Sequence, residues 1–210
     1  MILTIVLLFI IIYFLTRTEA FVNKGTHGYN KVWTSRTAFD TQALGQVQRE
    51  YAEIRGRLRS ENSLFGRTII NRKKFIPRSD SALNQVLKDQ RFITRLENII
   101  GIKGLVLNET TLPPEYRIYE KGGEMKWHRD TVLSTPPQYE VVITLFNDSD
   151  SQFLWKNENA NKINRADTNT NNITIVRAGG IEHAVSPVTR GKRVIIKAAY
   201  DQKVSVTPKP

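Results

Sequence analysis

The chain has no cysteine among its 210 residues. A disulfide scaffold, a zinc finger, an iron–sulfur cluster and a cysteine nucleophile are thereby excluded. Histidine is also scarce, with three copies. Any metal site must be built from these imidazoles and from Asp or Glu, and a Ser-His-Asp relay has little to draw on. One long apolar run exists, at positions 1–15, so a multi-span membrane protein is excluded. What remains is ordinary: 40% hydrophobic and 24% charged residues, the balance of one globular domain with a modest core.

The run MILTIVLLFIIIYFL carries Thr4 as its clearly polar side chain. As a helix it would span roughly 22 Å, short of a ~30 Å hydrocarbon layer. It reads as a signal segment or as a minimal membrane anchor over residues 1–20. Thr18 and Ala20 before Phe21 suit cleavage, which would make the protein secreted or luminal. No Lys or Arg precedes the run, which favours a retained anchor and a membrane-associated protein. Arg17, Lys24 and Lys31 follow it and would hold the domain on the cytosolic side. Three glycosylation sequons, at Asn108, Asn147 and Asn172, point to the luminal side. Sidedness stays open.

The net charge is +11. Much of the excess lies in 55–78, where Arg55, Arg57, Arg59, Arg67, Arg72, Lys73, Lys74 and Arg78 face Glu61 alone. Such a stretch can meet nucleic acid, anionic lipid or an acidic substrate. It can equally be a solvated helix face and loop, the reading preferred here. Only Phe65 and Phe75 interleave with the charges, too few for a base-stacking platform.

Residues 21–36 read as a linker. From Thr37 to Ser60 the spacing of Leu44, Val47, Tyr51, Ile54 and Leu58 predicts one helix, started by Thr37 and Asp40. A second is expected over 81–100, ended by Gly101. Beyond it the texture turns to short β segments: 105–107, 116–120, 125–128, 139–146, 152–155, 173–177, 184–188 and 193–200. Turn signals such as Gly122-Gly123, Pro136-Pro137 and Gly179-Gly180 separate them. Residues 156–171 read as an exposed loop. The expected fold is α+β, mainly β: a jelly-roll barrel over 104–201 with helical support over 37–101, within a domain 37–203 and before a tail 204–210.

The chemistry concentrates in two segments. If 125–130 is extended, His128 and Asp130 share a face. His183 opens the segment His-Ala-Val-Ser-Pro-Val-Thr-Arg-Gly-Lys-Arg193. Two imidazoles and one carboxylate on one face of a metal leave other positions open, as in non-haem Fe(II) oxygenases. A hairpin at Gly191 can return Arg193 to that pocket, where its fork suits a dicarboxylate. Tyr119, on the adjoining strand, can reach the same anion.

These motifs, Tyr119-x-x-Gly-Gly, His128-x-Asp130-Thr131 and His183-x-Val-x-Pro-Val-Thr-x-Gly-x-Arg193, resemble those of the iron(II)- and 2-oxoglutarate-dependent dioxygenases, in the prolyl-4-hydroxylase-like branch. The resemblance covers residues 105–200. It implies a double-stranded β-helix, with His128, Asp130 and His183 as the catalytic ligands of Fe(II). It implies that Arg193 binds the distal carboxylate of 2-oxoglutarate with support from Tyr119. Oxidative decarboxylation to succinate and CO₂, using O₂, would drive hydroxylation of a substrate C–H bond, with ascorbate a further expected cofactor. A prolyl or lysyl residue of a protein or peptide is the expected substrate. Two departures stand out. Asp148-Ser-Asp-Ser-Gln152 replaces a common Gly-Gly motif, and Thr144-Leu145-Phe146 stands where some prolyl hydroxylases have a tyrosine. A nucleic-acid demethylase of the same fold is the second reading, though its usual second arginine is Ala199 here. A non-catalytic, membrane-anchored binding module is the third.

Overall fold

The computed structural model describes residues 28–61, 68–156 and 162–203. The expected membrane segment 1–20, His27 and the tail 204–210 lie outside them. Among the described residues no helix is long and apolar enough to cross a membrane.

The described residues form three α-helices, all before residue 101. Helix α1 (Thr41–Ile54) starts four residues later than the expected Thr37, because Asp40 is extended and its carboxylate accepts from the Ala43 N–H at 2.8 Å. It buries Val47, Tyr51 and Ile54 as the spacing predicts, and a 3₁₀ turn (Arg55–Arg57) follows. The single helix expected over 81–100 is two, α2 (Ala82–Lys88) and α3 (Gln90–Ile100). Asp89 divides them: its ψ is 128°, and its carboxylate caps the Arg91 N–H at 2.8 Å. A short acidic side chain competes for backbone N–H groups and so favours a boundary over a helix interior. Gly101 ends α3 in the left-handed region, at φ 85°.

Among the described residues eleven strands form one antiparallel sheet, eight of them along a single path. They are β1 (Val32–Ser35), β2 (Arg59–Ser60), β3 (Ile69–Phe75), β4 (Leu105–Leu107), β5 (Glu115–His128), β6 (Tyr139–Asn147), β7 (Phe153–Lys156), β8 (Ile163–Ala166), β9 (Ile173–Arg177), β10 (His183–Val185) and β11 (Arg193–Gln202). Their order is β1-β9-β6-β11-β5-β10-β7-β8, with β3 also on β5 and β4 on β11. The two ends of the path, β1 and β8, line one cleft, so the sheet curls almost shut. This is the double-stranded β-helix expected from the motifs.

Strand β11 shows how alternation builds both layers. Val194, Ile196, Ala198 and Tyr200 face the helices and join their core, while Arg193, Ile195 and Lys197 line the barrel interior. A strand buried on both faces reads as a nearly continuous apolar run, as 194–200 does.

Four strands fall where other structure was expected. β1 occupies the end of the presumed linker, β2 and β3 the basic stretch, and β8 the presumed exposed loop. β1, β2 and β8 are short and lie at sheet margins, and β3 carries Arg, Lys and Lys in seven residues, so neither apolar alternation nor length marked them. The paired glycines expected as a turn instead lie inside β5. Up to Tyr119 this strand pairs with β11, and from Met125 it pairs with β10. Gly122 takes φ 79° at the bend between the two pairings. A Cβ on Gly123 would sit 2.8 Å from the Glu120 carbonyl and 2.9 Å from that of Asn71. Gly123→Ala is therefore expected to lower the urea midpoint by an amount worth about 2 kcal/mol, at unchanged slope. A wild-type midpoint would show that the bend has room to spare.

The three sequon asparagines are all engaged within the fold. The Asn108 amide donates to Asp201, that of Asn147 to Thr168, and that of Asn172 to the Asp167 carbonyl. A glycan would replace one of the two N–H groups of the amide that carries it.

Candidate metal centre and anion pocket

His128 ends β5 and His183 begins β10, and the register pairs them directly across the two strands. Asp130 follows in the loop that leaves β5. One potential ligand atom from each of the three lies within 4.8 Å of the other two. Asp130 stands 3.4 Å from His183 Nε2 and 3.7 Å from His128 Nε2. Each imidazole turns its Nδ1 to the carbonyl two residues earlier: His128 to Lys126 at 2.8 Å, His183 to Ile181 at 3.1 Å. A carbonyl only accepts, so both Nδ1 atoms carry the proton and both Nε2 lone pairs face the shared space. Phe153 stacks on His183, with ring centroids 5.3 Å apart, and holds its plane.

The loop after Asp130 is pinned at several points. The Asp130 carbonyl accepts from the Gly179 N–H at 2.8 Å, and the Gln138 amide bridges Thr131 and Glu140. Arg129 donates to the Gly180 carbonyl. Trp127 turns outward beneath the Lys156 ammonium, 4.1 Å from it, as alternation around the ligands requires.

His128 Nε2 is buried and has no hydrogen-bond partner. A buried acceptor with nothing to accept from is costly in a fold without a ligand. Two imidazole nitrogens and one anionic oxygen suit a divalent transition metal with open positions. The triad therefore fits Fe(II).

Two charged residues that sequence reasoning missed complete the electrostatics. The Lys197 ammonium lies 3.7 Å from Asp130 and 3.1 Å from Glu140, which is itself buried. Burial pushes the Asp130 carboxyl up; Lys197 and the two imidazoles outweigh it and hold it well below the ordinary carboxylate range. Asp130 is thus ionised before a metal arrives. The detectable signal was a Lys and a Glu at inward positions of otherwise apolar strands. Burial lowers the His183 pKa from its ordinary 6.5, against the pull of Asp130. The sign for stability follows. An unfolded imidazole takes a proton near pH 6.5, and the folded one takes it only at lower pH. Stability of the metal-free protein should therefore fall as pH drops below about 6.5. Urea midpoints from pH 7.5 to 5.5 check this, and His183→Gln should flatten the profile. A wild-type profile already flat over that range would refute it.

Arg193 lies deeper in the same cavity and is 1% exposed. Its Nη2 meets the Thr144 hydroxyl at 3.3 Å, while Nε and Nη1 are buried without partners. Burial brings its pKa down to about 10, so the group stays cationic at neutral pH. Tyr119 is its neighbour across β5 and β11 and is also fully buried. The Tyr119 hydroxyl accepts from Arg72 at 2.9 Å. All five residues picked out in the sequence thus converge on one cavity, and Thr144, from the segment 144–146, contacts Arg193.

No family model and no curated protein matches this sequence. Solved structures do. A prolyl-4-hydroxylase from Pseudomonas putida aligns with a TM-score of 0.62 at 12% identity, over 85% of this chain and 95% of that one. A Trichoplax adhaerens prolyl hydroxylase, in complex with a peptide fragment of the hypoxia inducible factor oxygen degradation domain, aligns at 0.62 and 14%, over 84% of each chain. A 2OG-Fe(II) oxygenase family oxidoreductase from Burkholderia pseudomallei aligns at 0.61 and 17%, over 82% and 84%. The fold is that of the 2OG-Fe(II) oxygenases. A barrel wall accepts many apolar sequences, so such a fold can persist at this identity.

The basic stretch does not form one face. Arg72 is buried, Lys73 pairs with Glu120, and Lys74 lies between Glu61 and Glu115. Arg57 packs over Phe75. Arg67 lies outside the described residues.

Proposed function

We propose that this chain is an Fe(II)- and 2-oxoglutarate-dependent dioxygenase that hydroxylates a C–H bond of a prolyl residue in a protein or peptide. One observation carries the cosubstrate part: a fully buried guanidinium with two unpartnered nitrogens, in the cavity that holds the triad. Its charge has no counter-ion among the described residues, and a carboxylate would supply one. His128, Asp130 and His183 would hold the metal, which when bound supplies oxidative decarboxylation of the 2-oxo acid and oxidation of the substrate. The protein does the rest. Arg193 orients the distal carboxylate, Tyr119 donates to it, and Val142, Val176, Val185 and Ile195 line the cavity and exclude water.

The peptide reading is supported by the neighbour in complex with a peptide. Val132 and Leu133 support it too, being exposed at 43% and 48% within three residues of Asp130. Membrane attachment through residues 1–15 remains part of the proposal and rests on sequence alone. The test is succinate release with a panel of proline-rich peptides. The expected result is a product heavier by one oxygen atom, lost in His128→Ala. Iron-loaded protein that turns over 2-oxoglutarate yet never modifies a prolyl peptide would overturn the substrate part.

A further inference from the structure

Strands β3, β5 and β11 lie side by side, and their registers place Arg72, Tyr119 and Arg193 in one row. Arg72 is 2% exposed. Its Nε donates to Glu61 at 2.7 Å, and its Nη1 donates to the Tyr119 hydroxyl at 2.9 Å and meets Met125 Sδ at 3.2 Å. Glu61 balances its charge. Burial works against ionisation of Glu61; the Arg72 hydrogen bond and the charges of Arg72, Arg117 and Lys74 together outweigh it and keep the carboxyl below its ordinary value.

The consequence lies in the direction of one proton. A guanidinium has donors and no acceptor. A phenol oxygen that accepts from it must therefore send its own O–H elsewhere. Among the described residues the one other partner of that hydroxyl is the weak acceptor Met125 Sδ, at 3.9 Å. The bond to Arg72 also engages a lone pair that could otherwise draw in the idle N–H groups of Arg193. We propose that Arg72 is a positioning residue for cosubstrate binding: it fixes the Tyr119 hydroxyl as a donor toward the carboxylate of 2-oxoglutarate and leaves the Arg193 fork open for the same anion. This rests on the reading of Arg193 and Tyr119 given under the proposed function. It turns one residue of the basic stretch from a surface charge into part of the site.

The test is a double-mutant cycle on binding, read with N-oxalylglycine, an unreactive analogue of 2-oxoglutarate, by calorimetry on the metal-loaded protein. Arg72→Met and Tyr119→Phe should each weaken binding about 10-fold, the scale of one hydrogen bond to a charged group. Together they should also lose about 10-fold rather than about 100-fold, because Arg72 acts through the hydroxyl that Tyr119→Phe removes. Removing Arg72 alone leaves the half-buried Glu61 with Lys74 at 3.5 Å in place of a close hydrogen-bonded partner, which can destabilise the chain. Arg72→Met with Glu61→Gln removes both charges, and the same cycle run in that pair must give the same result. Losses that multiply, or an Arg72 variant that binds as tightly as wild type, overturn the proposal. Wild-type protein that binds no analogue defeats instead the reading on which it rests.

Discussion

Arg193→Met should stabilise the ligand-free protein and abolish its response to 2-oxoglutarate. The two effects have one cause. In the ligand-free fold Arg193 is 1% exposed, keeps one contact at 3.3 Å, and leaves Nε and Nη1 without partners. Replacing buried charge with an apolar chain of similar volume commonly gains about 1–4 kcal/mol. For a chain of this size that raises the midpoint of thermal unfolding by several degrees, at about 2–4 °C per kcal/mol. Wild-type protein should catch up once the cosubstrate is added: at 100 times the dissociation constant, a ligand that binds only the native state adds about 2.7 kcal/mol. The variant should lose at least about 100-fold in affinity, because a paired set of charge-assisted hydrogen bonds is gone. Thermal melts with and without 2-oxoglutarate test both halves. A variant that is less stable than wild type and still shifts on adding 2-oxoglutarate would make Arg193 a structural residue.

The barrel and its ligands were legible in the sequence for different reasons. Nearly continuous apolar runs through 193–200 and 139–146 mark strands buried on one or both faces, and those were recovered. His183 to Arg193 forms a dense block because the proposed ligand and the proposed anion anchor sit at the two ends of one short connection, and spacing there is fixed by geometry. The strands that escaped obey other rules. β3 reads Ile-Ile-Asn-Arg-Lys-Lys-Phe, which resembles a charged surface until its partner is known. Arg72 is buried only because Glu61 and Tyr119 come from elsewhere to meet it. The pairing of Lys197 with Asp130 and Glu140 joins three separate stretches. A charge that is satisfied by distant residues carries no local mark, so the second layer of the site was invisible where the first was plain. The broken helix at Asp89 fails differently: the apolar stripe continues across it, and only the acid's preference for capping shows the interruption.

Asp130→Asn should cost the protein its metal while leaving its shape nearly intact. Asparagine keeps the size of the side chain and an oxygen that can point at the same place, but it carries no charge. The change therefore separates the anion from the donor atom. In the wild type, Lys197 and both imidazoles keep Asp130 ionised against burial, so the site meets a cation with a full negative charge already in place. With asparagine the nearest fixed charge is Lys197, 3.7 Å from the same oxygen and repulsive to any cation. Substitutions one shell out from a metal cost about 10–100-fold in affinity. Loss of the sole anionic ligand beside an ammonium should exceed that range. Titration with Co(II), followed by absorbance and by calorimetry, measures the loss directly. The metal-free proteins compared in urea report a second quantity. Asp130 has its pKa lowered on folding, so it contributes stability above the unfolded value of 3.8, and that contribution disappears as pH falls toward the lower folded value. Asp130→Asn should accordingly be less stable than wild type at pH 7, and the gap should narrow below about pH 4. An asparagine variant that binds Co(II) with wild-type affinity would mean that the two imidazoles draw their third ligand from another residue, and the assignment of Asp130 would fall with it.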